Sequence, residues 1–79
     1  MAQISVQSMD RLEKQRNTVH EEAHATYTVF EMDGEKYFQL DTYGRTDREF
    51  PEKISQSIQL NRDSARQLVR LLIETYDLL

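Results

Sequence analysis

The chain reads as an α+β protein: an antiparallel sheet of at least three strands packed against a C-terminal helix, with a short helix near the N-terminus. Three observations carry that reading. An Asp-Gly turn separates two runs rich in β-formers, a third run alternates apolar with polar residues, and the last stretch repeats apolar residues at helical spacing.

Taken in order, residues 1–8 are expected to be a mobile tail and residues 9–79 a single α+β domain. Ile4 and Val6 alternate like the end of a strand, while Met9, Leu12 and Arg16 are spaced for a short helix. Asp33-Gly34 is the preferred filling of a two-residue type I′ turn, because both central residues need positive φ. That placement sets the register: Glu31 opposite Lys36, Phe30 opposite Tyr37, Val29 opposite Phe38, Thr28 opposite Gln39, Tyr27 opposite Leu40 and Thr26 opposite Asp41. The opposed charges of Glu31 and Lys36 favour the same pairing.

Alternation then puts Ala25, Tyr27, Val29, Phe38 and Leu40 on one face, read as the core side. Thr26, Thr28, Phe30, Tyr37, Gln39, Asp41 and Tyr43 occupy the other, a polar face set with aromatics. A loop over residues 44–53 follows, marked by Gly44 and Pro51. The third strand is expected over residues 54–60, with Ile54, Gln56, Ile58 and Leu60 on the inward side and Ser55, Ser57 and Gln59 on the other.

Asn61 suits a helix N-cap and Asp63 suits the dipole of the first turn. Beyond it Ala65, Leu68, Val69, Leu72, Ile73, Tyr76 and Leu79 fill an arc of roughly 140°. Leu71 and Leu78 fall outside that arc and are read as a helix-mediated dimer contact, with isolated exposed leucines as the ordinary alternative.

Composition bounds what such a domain can do. Seventy-nine residues without cysteine form a small core with no disulfide to staple it, so self-association into a homodimer is the expected aid. No run approaches the roughly 18 apolar residues of a membrane span, and no apolar leader core occupies the first 20 positions, so the expected location is cytoplasmic. The net charge of −4 argues against a bulk polyanion binder. It is concentrated in residues 25–44, which sum to −3, whereas residues 45–53 and 54–79 each sum to 0.

His20-Glu21-Glu22-Ala23-His24 matches H-E-x-x-H, which on a helix places two histidines to hold zinc and a glutamate as base. The motif runs straight into a strand sequence and has no third ligand at recognisable spacing, so the bland reading is a polar segment before the hairpin. There is also no Gly-x-Ser-x-Gly elbow and no phosphate-cradling glycine loop, since Gly34 and Gly44 are the only glycines. Neither an enzyme nor a bound cofactor is expected.

The outer sheet face offers more. Phe30, Tyr37 and Tyr43, with Gln39, Ser55 and Ser57 nearby, make a surface on which unstacked bases stack and form hydrogen bonds. Arg45, Arg48 and Lys53 lie in the adjacent loop and would meet phosphates. The competing reading is that a second subunit or the N-terminal helix covers this face. Arg62, Arg66 and Arg70 form a helical stripe that reads as a solvated face, offset by Asp63, Glu74 and Asp77.

In the blocks Leu40-Asp41-Thr42-Tyr43-Gly44, Asp47-Arg48-Glu49 and Lys53-Ile54-Ser55-Gln56-Ser57-Ile58-Gln59, over about residues 10–79, the chain resembles a family of small bacterial proteins. Some of these carry a "methionyl-tRNA formyltransferase-like" label, although a chain this short has no room for a formyl-folate site. At the level of fold, the order of hairpin, basic loop, final strand, Asn cap and helix is similar to the single-stranded-DNA-binding domain of the transcriptional coactivator PC4. Lys53, Ile58, Leu60 and Asn61 carry that likeness. It implies dimerisation through the C-terminal helix and nucleic-acid binding on the sheet; the acidity and the missing fourth strand depart from the pattern. The expected function is therefore a small non-catalytic accessory protein that binds single-stranded nucleic acid. The alternative is a protein-interaction module using the same face or the C-terminal helix.

Overall fold

Asp33 and Gly34 adopt φ values of 54° and 82°, so the turn takes the left-handed form that the Asp-Gly pair favours. Space does not demand glycine at position 34, where an added Cβ would meet no atom within 4 Å; the backbone angle does. The computed structural model describes residues 1–44 and 53–79. From the turn, β2 (Ala25–Met32) and β3 (Glu35–Tyr43) pair antiparallel in the expected register, from Ala25 opposite Thr42 to Met32 opposite Glu35. A bond from the Tyr43 amide to the His24 carbonyl, 3.0 Å, extends the ladder by one step.

The third long strand, β4 (Ile54–Leu60), pairs antiparallel with β3, Phe38 opposite Leu60 and Asp41 opposite Ser57. A register shift at Thr42/Tyr43 places Ile54 opposite Tyr43. The alternation that puts Ile54 on the side of Ile58 and Leu60 therefore breaks there, because one extra residue on a strand reverses which face its neighbours serve.

Two expectations for the N-terminal region are corrected. Residues 1–8 were expected as a tail, yet Ala2–Gln3 form β1, which pairs with β4 in parallel, Ala2 opposite Ile58 and Gln3 opposite Gln59. The Ile4 amide donates to the Gln59 carbonyl at 2.9 Å and prolongs this contact. The sheet is thus mixed rather than antiparallel throughout, with strand order β1-β4-β3-β2. The expected N-terminal helix is a single 3₁₀ turn, Val6–Ser8, capped by the Ser5 hydroxyl accepting from the Gln7 amide. Met9, Leu12 and Arg16 lie beyond it in chain with neither helix nor strand, since three well-spaced residues without a cap or an apolar partner do not offset the cost of nucleating a helix.

Helix α1 (Arg62–Tyr76) begins at a capping box: the Ser64 amide donates to Asn61 Oδ1 at 2.9 Å and the Asn61 amide to Ser64 Oγ at 3.0 Å. Ser64 is fully buried in that arrangement. Asn61→Ala should cost about 1 kcal/mol, within a range of roughly 0.5–2, read as a lower urea midpoint at unchanged slope. At the far end Asp77 takes the left-handed conformation, φ 54°, and the amides of Asp77 and Leu78 both donate to the Ile73 carbonyl. Leu78 thereby occupies the position after a left-handed helix stop, where a hydrophobic residue commonly packs back on the last turn.

The helix leans on the sheet at its start, where Ala65, Arg66 and Val69 border a groove with Val29, Phe38 and Leu60. It does not seal the apolar face. Leu60 is the one apolar side chain buried among the described residues, at 8% exposure, while Tyr27 remains 68% and Val29 52% exposed. The Cα radius of gyration of 14.9 Å exceeds the roughly 12 Å expected for a compact chain of this length.

Candidate nucleic-acid interface

The face opposite the helix is built by residues whose partners the register dictates. Phe30 and Tyr37, directly opposite each other beside the turn, stack with ring centroids 5.5 Å apart at 27°. Both are half-buried. Such a pair contributes about 0.5–1.5 kcal/mol beyond area burial and fixes two rings side by side. The Tyr37 hydroxyl donates to Glu35 Oε2 at 3.3 Å. Desolvation first, then the charge and hydrogen bond of Glu35 and the charge of Asp33, raise its pKa above the ordinary phenol value. The ring is therefore neutral at physiological pH and adds no charge against a phosphate.

Towards the other end of the sheet lies Tyr43, whose hydroxyl and Thr26 Oγ1 are 3.1 Å apart and whose ring lies 5.1 Å from that of His24. Tyr43 lies six positions along β3 from Tyr37, about 20 Å at the usual rise. The three aromatics thus mark the ends of a strip rather than one cluster.

Between them runs a ladder of side-chain hydrogen bonds across three strands. Gln3 Nε2 donates to Gln59 Oε1 at 3.0 Å, Gln59 Nε2 to Gln39 Oε1 at 3.2 Å, and Gln39 Nε2 to Asp41 Oδ1 at 3.0 Å. Ser57 Oγ donates to the same Asp41 oxygen. Asp41 is 5% exposed and sits on the central part of the sheet, so its carboxylate anchors the series. An ionised carboxylate only accepts, which makes Gln39 present its Nε2; the Gln39 carbonyl must then accept from Gln59, and that of Gln59 from Gln3. One acid orients three amides. The ladder uses one donor and one acceptor of Gln39 and of Gln59, each of which has two donors and two lone pairs. Gln3, Gln39, Ser57 and Gln59 border an open hollow of about 200 Å³.

Of the residues expected to form the site, the structure brings Gln39 and Ser57 together in the ladder, sets Phe30 and Tyr37 at one end, and sets Tyr43 at the other. Ser55 is exposed and lies at the register shift, opposite neither Thr42 nor Tyr43. Lys53 is exposed immediately before β4, at the Tyr43 end. Arg45 and Arg48 lie outside the described residues. Among the described residues this face carries Glu35 and Asp41 and no lysine or arginine on its strands. Leu71 and Leu78 are both exposed.

Asp41, Gln59 and Gln3 were not singled out by sequence reasoning as a unit. Knowing the β3–β4 register would have paired Gln39 with Gln59 and Asp41 with Ser57, but the sequence between the two strands carries no two-residue turn signal of the Asp33-Gly34 kind from which to count. Nothing local marks Gln3, which reaches the ladder from 56 residues away. The His20 to His24 segment is not helical, so its histidines lack the one-turn spacing that the zinc reading requires. Among the described residues no group of three or more metal-ligating side chains comes together. None of their helices is long and apolar enough to cross a membrane.

Set against known protein families, curated proteins and solved structures, the chain finds no match.

Proposed function

We propose that this chain is a small, non-catalytic accessory protein that binds single-stranded nucleic acid on the face opposite the helix. The observation that carries the reading is the amide ladder, ordered by Asp41 and flanked by the Phe30–Tyr37 stack and Tyr43. Rings accept unstacked bases regardless of sequence, and oriented amides pair with base edges. Lys53, with Arg45 and Arg48 from the segment between β3 and β4, supplies the phosphate contacts. The sequence resemblance to the PC4 single-strand-binding domain implies the same use, and a cytoplasmic location is part of the proposal.

Fluorescence anisotropy with a labelled single-stranded oligonucleotide of about ten nucleotides at low salt tests it. Binding in the micromolar range is expected, stronger than for duplex of the same sequence. With three cations at most, the log–log salt slope for single strands should be no steeper than about −2. No binding at tens of micromolar ends the proposal.

A second reading, a protein-interaction module on the same face or the C-terminal helix, is favoured by one specific observation: the strands of this face carry acidic but no basic side chains among the described residues. A pull-down that recovers one protein and survives nuclease treatment would decide for it.

A further inference from the structure

The outer edge of β2 carries unpaired backbone. In the strand order β1-β4-β3-β2 it is one end of the sheet, and among the described residues no strand lies beyond it. The bond from the Tyr43 amide to the His24 carbonyl marks these opposed residues as a hydrogen-bonded pair, and such pairs alternate along an antiparallel ladder. Thr26, Thr28, Phe30 and Met32 therefore turn their amides and carbonyls towards β3, while Ala25, Tyr27, Val29 and Glu31 turn theirs outward. Over about 20 Å these four residues offer a row of alternating donors and acceptors.

Edges of this kind are ordinarily blunted by proline, by lysine, by a bulge or by shortness. The opposite edge follows that rule, since β1 has two residues. β2 has eight, without proline, glycine, lysine or arginine, and pairs with β3 with no register shift. At its outward-bonding positions Tyr27 and Val29 expose apolar side chains.

Charge describes the strand that fits. Residues 21–36 hold five acids against Lys36 and sum to −4, equal to the formal charge of the whole chain. The uncharged run 25–30 lies between Glu22 on one side and Glu31, Asp33 and Glu35 on the other, all four exposed. Arg62 and Asp63, which border the turn from the start of α1, cancel each other. A second copy of β2 is disfavoured: paired antiparallel about a two-fold at Thr28, it sets Gly34, between Asp33 and Glu35, against the other copy's Glu22. A segment with lysine or arginine at both ends has the opposite balance.

We infer that β2 accepts an extended segment of another protein as a fifth strand, antiparallel, with β-branched residues opposite Tyr27 and Val29 and a basic residue at each end. Backbone bonds supply its affinity, and side chains at alternate positions its selectivity. This edge is distinct from the amide-ladder face and from the surface of α1, so the inference stands whether or not nucleic acid binds.

The probe is the blocked peptide KTVTVTATKK, whose antiparallel register sets its first lysine opposite Glu31, its valines opposite Val29 and Tyr27, and its last lysine opposite Glu22. Backbone NMR of the full chain should report saturable binding with a dissociation constant below about 1 mM. At saturation, hydrogen exchange at the amides of Ala25, Tyr27, Val29 and Glu31 should slow at least about threefold, and more than at Thr26, Thr28 and Phe30, which β3 already bonds. N-methylating both valines removes two donors to the edge and should weaken binding about 5–150-fold, whereas N-methylating the threonine between them should leave it within about threefold. The charge-reversed peptide ETVTVTATEE should bind at least about fivefold more weakly, a difference that shrinks as salt is added. Because these changes are made in the peptide, folding of the chain is not at issue. Absence of binding at about 1 mM, equal affinity of the peptide methylated at its valines, or shifts confined to the ladder face or α1 overturns the inference. Equal affinity for the charge-reversed peptide rejects the basic partner. Protection of the same four amides that rises with protein concentration in the absence of peptide puts a second copy on the edge and likewise overturns the inference.

Discussion

Replacing both Phe30 and Tyr37 by alanine should weaken single-strand binding by at least about 30-fold while circular dichroism reports an intact sheet. Each ring that stacks a base contributes about 1–3 kcal/mol, so each single variant should lose roughly 5- to 150-fold. Tyr37→Phe separates stacking from hydrogen bonding, because it keeps the ring and removes only the bond to Glu35. Its affinity should stay within about twofold of the parent, since that bond is exposed and not part of a base contact. Anisotropy titrations of the parent and the four variants at one salt concentration are the measurement. Equal affinity across the set would mean that the stacked pair is structural and that bases, if bound, lie elsewhere.

Asp41→Ala should destabilise the fold by about 1–3 kcal/mol, because Ser57 Oγ and Gln39 Nε2 lose a buried acceptor and are left unsatisfied. For a domain whose total stability is expected at roughly 4–12 kcal/mol, that is a large fraction, visible as a lower urea midpoint. Asp41→Asn should cost less, since its carbonyl can still accept from both neighbours. The two variants part company in binding. Removing the charge in Asp41→Asn takes a negative group off the face and should strengthen nucleic-acid binding at low salt, whereas Asp41→Ala also frees the amides to reorient and should weaken it. If Asp41→Asn binds no more tightly than the parent, phosphate does not approach this part of the sheet.

Much of the fold was legible residue by residue. The Asp33-Gly34 turn needed only its two residues, and once it was placed every pair from Thr26–Asp41 to Glu31–Lys36 followed by counting. The bounds of β4 followed from its alternation, and the start of α1 from Asn61. The N-terminal third was misread because its structure is borrowed: Ala2–Gln3 form a strand only where β4 offers an edge. The candidate site divides in the same way. Phe30 opposite Tyr37 came from the hairpin, whereas the ladder from Gln3 to Asp41 depends on a β3–β4 register and a β1–β4 contact that local sequence does not encode.

The sequence by itself determined the turn, the helix N-cap, the strand periods and, up to the register shift before Gln56, which residues share a face, because each of these rests on steric and hydrogen-bonding preferences acting over a few neighbours. Only the tertiary structure decided that the polar face is ordered by a single carboxylate and that the apolar face lies open beside its own helix. Both depend on how separate elements are set against one another. An apolar alternation says that a face must be covered, and is silent on whether the cover comes from the same chain or from the next.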